Sequence, residues 1–237
     1  MSKTDVLCKL KTNGKFESIM ATSTDIHTII QDDQKYGFLK PKNGIITHSI
    51  FNKDVELTAV QVRRADNISL TGWGIDTPIK FRHVKPSENA MMELSFADKE
   101  QDSNLDDQTI AYHGYPLTGS DLHGICVVNT AFFYTAHGNT VSLHDIDPIH
   151  YPDPITAPKQ GKSWDIDKIL RHERGHGVFG LPHSKTEFNT MSGGYHIMSE
   201  QNTTEDILRA QAKAGKRNWL SRRYELLKQS YKILSER

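Results

Sequence analysis

The chain has 237 residues, of which 36% are hydrophobic and 24% charged, with 16 glycines and 9 prolines. That is enough apolar material for one well-buried domain and excludes fibrous, low-complexity and disordered classes. Lysine plus arginine and aspartate plus glutamate both number 29, so charge gives no reason to expect nucleic acid or an anionic membrane as partner.

Residues 1–43 are polar and weakly periodic and end in the turn signal Pro41-Lys42-Asn43-Gly44, which marks an N-terminal accessory or pro-like segment. Its first twenty residues hold no apolar run of signal-peptide length, and no later stretch approaches the roughly 18 apolar residues of a membrane span. The expectation is a protein without a transmembrane segment that is cytoplasmic or exported by a leaderless route. A strand is predicted over 44–51, then a helix from about Leu57 to Trp73 with Val62, Ala65, Ile68 and Trp73 on one face. Strands follow at 79–84 and 90–97, and after a polar loop at 98–108 two more at 109–113 and 124–129. Cys126 belongs to the last of these as a buried core residue, and no disulfide with Cys8 is expected. The Pro-, His- and Asp-rich stretch 137–162 reads as a long loop, and a helix capped near Ser163 runs to about Phe179. At the C-terminus, residues 215–237 are predicted to form a separate basic amphipathic helix, with Leu220, Tyr224, Leu227, Tyr231 and Leu234 at helical spacing.

The chemistry lies in the helix that ends near Phe179. His172-Glu-Arg-Gly-His176 sets two imidazoles one helical turn apart on one face, where both reach a single metal ion. Glu173 between them is placed to take a proton from a water that the metal activates. A catalytic zinc site needs a third protein ligand and an open position. Gly180-Leu-Pro-His183 supplies it: glycine lets the chain leave the helix in a left-handed turn, proline prevents the helix resuming, and His183 returns to the ion. Arg171 and Arg174, beside Glu173, are expected to face solvent.

The stretch HERGHGVFGLPHS resembles the HExxHxxGxxH signature of the metzincin metallopeptidases and, within them, the matrixins, with one residue more between His176 and Gly180. The extra residue is expected at Val178 or Phe179, absorbed as a helical or bulged position. Met191, eight residues after His183, resembles the family's Met-turn, with Met198 as the competing choice. Tyr195 corresponds to the tyrosine in the wall of the primary specificity pocket, and Gly193 stands where the family usually has proline. The similarity covers about residues 44–215, including Trp73 to Phe81, Ala90 to Asp98 and the edge-strand stretch Ile110 to Pro116.

The resemblance implies an α/β (α+β) zincin fold: a twisted, mixed five-stranded sheet, a backing helix, the HExxH helix and a C-terminal helix after the Met-turn. It implies a catalytic domain over 44–214, one catalytic Zn2+ on His172, His176 and His183, and Glu173 as general base. Polypeptide substrate would bind as an extended strand along Ala111 and Tyr112, because an edge strand offers unpaired backbone groups. Structural zinc and calcium are expected to be lost, since only His113 matches a structural-zinc position, Val127 replaces a histidine, and Asn129 and Phe132 stand where acidic ligands belong. His144, Asp145, Asp147, His150 and Asp153 read as solvated loop residues, and the lone Cys8 lacks the flanking residues of the family's inhibitory motif. The activity implied is that of a zinc endopeptidase. Its rivals are a zinc-binding pseudo-protease serving as a partner-binding module, and a zincin with Glu200 or Glu205 as third ligand.

Overall fold

The computed structural model describes residues 7–12, 15–17, 20–21, 23–51, 57–116, 124–132, 134–135, 164–193 and 201–217. The five expected strands form as β3 (Ile45–Ile50), β4 (Lys80–His83), β5 (Met92–Ala97), β6 (Thr109–His113) and β7 (Ile125–Asn129). They lie in the order β6-β7-β5-β3-β4. All their pairings are parallel except β6 with β7, which is antiparallel in register Ala111 with Val128 and Tyr112 with Val127.

Two strands from the N-terminal segment extend that sheet. The antiparallel pair β1 (Leu7–Thr12) and β2 (Lys15–Glu17) joins on the outer side of β6, with β1 parallel to it. A short parallel pair, β8 (Tyr134–Thr135) with β9 (Trp164–Asp165), leads directly into the helix that starts at Ile166.

Helix α2 (Ala59–Asp76) starts at a capping box in which Thr58 and Gln61 bond each other's backbone amides. It buries Val62 and Ala65 against Leu94, Phe96, Ile110 and Val128 of the sheet and against Ile166, Ile169 and Leu170 of α3 (Ile166–Phe179). A second cluster gathers Leu39, Leu70, Trp73, Phe179, Leu181, Met191 and Ala210 at the other end of α3. The N-cap of α3 is Asp165, whose side chain accepts from the Asp167 amide at 2.9 Å. Helix α4 (Thr204–Ala214) begins with a second capping box, Thr203 with Asp206.

Helix α1 (Ile26–Asp33) and the residues after it pack on this core. Lys213 Nζ donates to the carbonyls of Asp33 and Tyr36, satisfying orphan acceptors at the end of α1. Tyr36 stacks on Tyr115 with 4.9 Å between ring centroids, and Phe38 on Phe179 at 6.1 Å. Among the described residues no helix is long and apolar enough to cross a membrane.

Candidate metal centre

Helix α3 sets His172 and His176 on one face, and Gly180 ends it with φ 61° in the left-handed region. A side chain at Gly180 would be excluded twice, by that φ and by the Gly37 carbonyl oxygen 2.3 Å from where a Cβ would sit. The amide of Gly180 is shared between the carbonyls of His176 and Gly175. The Leu181 amide also donates to the Gly175 carbonyl at 3.2 Å, closing the left-handed C-cap, and α3 carries the extra residue as an additional α-helical position before Gly180. Beyond it the chain reverses and delivers His183.

The three imidazoles converge. His172 Nε2 and His176 Nε2 are 2.9 Å apart, and His183 Nε2 is 3.2 Å from each. Tetrahedral zinc with bonds of about 2.0–2.1 Å has ligand nitrogens about 3.3 Å apart, so the triangle already has the size such an ion requires. The tautomers agree. His172 Nδ1 donates to the Thr190 carbonyl at 2.7 Å and His176 Nδ1 to the Leu181 carbonyl at 2.5 Å, which leaves both Nε2 lone pairs facing the centre. Burial pushes His172 down to about 4, and burial reinforced by the neighbouring imidazoles puts His176 and His183 well below the ordinary histidine value. Neutral imidazole is the form that ligates metal.

Met191 is buried against the middle of α3. A Cβ built on Gly175 would come 2.2 Å from its sulfur, so the glycine in the middle of α3 is there for close packing. Met191 O accepts from the Ser184 amide at 2.7 Å, Ser192 N donates to Asn189 O at 3.1 Å, and Asp206 accepts from the Thr190 amide at 3.1 Å. The turn that holds His172 through Thr190 is thereby fastened both to the loop of His183 and to α4.

Glu173 is fully buried in α3. Ala111 and Tyr112 lie on β6 as expected, but the outer edge of that strand is paired with β1, Cys8 opposite Ala111 and Lys9 opposite Tyr112. The hydroxyl of Tyr112 donates to Asp102. Tyr195, Met198, Glu200, the cluster from His144 to Asp153 and residues 218–237 of the predicted C-terminal helix lie outside the described residues, while residues 215–217 follow the end of α4 without helical structure. Glu205 is not at the centre: it accepts from Thr186 Oγ1 at 2.8 Å and from Arg209 at 3.4 Å. Among the described residues, His172, His176 and His183 are the one group able to share an ion. His113 is buried with Nδ1 donating to Gly114 O and Nε2 accepting from Arg174, so both nitrogens are engaged within the core.

The expectation of solvent-facing arginines fails. Arg174 is fully buried and donates to Asp66 Oδ1 at 2.7 Å, while His48 Nδ1 lies 2.7 Å from Asp66 Oδ2. Arg171 packs its guanidinium over Gly72, where a Cβ would meet it at 1.9 Å. Sequence reasoning also missed Arg209, which is buried in an ion pair with Asp33, and Tyr115, whose ring meets that of His176 edge-on at 5.9 Å. These partners are far apart in sequence and carry no local periodic signal.

No curated protein matches the chain. Residues 40–212, well over half the chain, match the family model described as Matrixin, peptidase family M10. With that match and this fold, the chain belongs to the matrixins, a family of zinc metallopeptidases that act on polypeptides.

Proposed function

We propose that the chain is a zinc endopeptidase in which His172, His176 and His183 hold one catalytic ion and Glu173 is the general base. The observation that carries this reading is the 2.9–3.2 Å triangle of Nε2 atoms formed in spite of the extra residue before Gly180. It is also what favours an active enzyme over a partner-binding module, since His183 stays within reach of the same ion. Zinc bound there supplies a Lewis acid that polarises the scissile carbonyl and acidifies a water. Glu173 would serve as the general base, taking a proton from the attacking water and returning it to the leaving amine. Met191 serves as the Met-turn, and the family resemblance gives Tyr195 the role of specificity-pocket residue. Substrate lies extended along β6 at Ala111 and Tyr112, in the place that β1 takes in this structure.

The test is cleavage of an unfolded polypeptide mixture by the full chain, by the chelator-stripped chain, and by the stripped chain given back zinc. Cleavage lost on stripping and restored by zinc supports the reading. Stoichiometric zinc without cleavage would favour the partner-binding alternative.

A further inference from the structure

The four residues that carry the third imidazole are tied down one after another. Leu181 O accepts from His176 Nδ1 at 2.5 Å, Pro182 O from Arg209 Nη2 at 2.8 Å, and His183 O from the Ala21 amide at 2.7 Å. The Ser184 amide donates to Met191 O at 2.7 Å. Because peptide groups are planar, fixing Pro182 O orients the plane before His183, and fixing His183 O and Ser184 N orients the plane after it. Both backbone torsions of His183 are then set, and the direction of its Cβ with them.

Arg209 cannot perform this task alone. Its guanidinium is fully buried and is held by Asp33, with Nε to Oδ2 at 2.8 Å and Nη2 to Oδ1 at 2.9 Å, in the bidentate geometry that fixes the plane of the fork. Asp33 is the last residue of α1, in the N-terminal segment that precedes the family match, and Ala21 lies in the same segment. We infer that Asp33 and Arg209 are positioning residues for the metal site: α1 aims the Arg209 fork, and the fork aims His183. The N-terminal segment from Ala21 to Asp33 is on this account a working part of the metal centre. The added residue on α3 gives this tether its purpose, because it changes the path from His176 to His183 and the loop is then held from outside.

The inference rests on the zinc reading above, and metal affinity separates the two. The double variant Asp33→Leu, Arg209→Met removes both buried charges and keeps apolar volume, an exchange that buried ion pairs often tolerate without loss of stability. It leaves Pro182 O without its donor. The zinc dissociation constant, measured by competition with a chromophoric chelator, is expected to rise about 10- to 100-fold, as it does when residues that orient metal ligands are removed. The visible spectrum of the cobalt-loaded variant is expected to move towards that of His183→Ala. An unchanged zinc constant and cobalt spectrum in a folded double variant would overturn the inference while leaving the zinc reading intact. A wild type that holds zinc no better than His183→Ala would remove both. Should the double variant not fold, Arg209→Lys carries the test. Its ammonium keeps the charge on Asp33 but lacks the planar fork, so zinc affinity is expected to fall, and a wild-type constant there overturns the inference equally.

Discussion

The amide of Leu39 donates to the carbonyl of Val178 at 2.9 Å, closing the last turn of the active-site helix against the N-terminal segment. Val178 is one of three residues between His176 and Gly180, where the family signature has two. Deleting Phe179 would restore the family's spacing, yet it removes a ring packed 5.1 Å from Trp73 and 6.1 Å from Phe38. It also turns everything after it by about 100° of helix. The expected result is a lower melting temperature and loss of stoichiometric zinc, read by thermal unfolding and metal analysis. A deletion variant that binds zinc more tightly would contradict this.

Gly177→Ala should destabilise the protein, although alanine is normally favoured over glycine in a helix by about 1 kcal/mol. A Cβ at this position would fall 1.9 Å from Cε1 of His113, and that ring is held by Arg174 at 3.2 Å and by Gly114 O at 3.0 Å. Overpacking of this kind costs about 1–3 kcal/mol. Urea unfolding of the two chains measures it.

Asp66 gives an acid-dependent contribution to stability. Burial alone raises its pKa, but the Arg174 guanidinium and His48 more than offset that, and the carboxyl lies at about 2. Since the folded value is below the unfolded one, the stabilisation is complete above about pH 4 and is lost as pH falls from there towards 2. Its size is about 2 kcal/mol. Unfolding free energies between pH 2 and 6 should show this step, and Asp66→Asn should remove it. The same variant should lose about 3–5 kcal/mol at neutral pH, because it leaves the Arg174 charge buried without its counter-ion.

Removing residues 1–18 should increase turnover of extended peptides. In the full chain β1 pairs with β6 opposite Ala111 and Tyr112, so an incoming strand must displace it, whereas Ala21 and α1 stay with the metal site. The gain is expected several-fold in kcat/KM and mainly through KM, because β1 competes for binding and touches no reacting atom. Equal KM for the two chains would show that substrate does not use this edge.

The signature on α3 was legible because its information is local: two histidines four apart, a glycine stop, a proline and a third histidine are all read within a dozen residues. Strands β3 to β7 and helix α2 were legible for the same reason, each to within about three residues at its ends. The N-terminal segment was not. Helix α1 has only eight residues, and its role comes from Asp33 meeting Arg209 across 176 positions of sequence. Arg174 looked like a surface charge on a helix because Asp66, its partner, lies 108 residues away. The strand opposite Ala111 could not be anticipated either, since an edge strand does not announce what will pair with it.

If Glu173 is the general base beside an ion held by three histidines, its carboxylate is needed for cleavage and not for metal binding. Zinc content and peptide-library cleavage of the wild type and Glu173→Gln should therefore show equal zinc in both and a cleavage rate at least about 100-fold lower in the variant. Equal cleavage rates in two equally loaded proteins would contradict it.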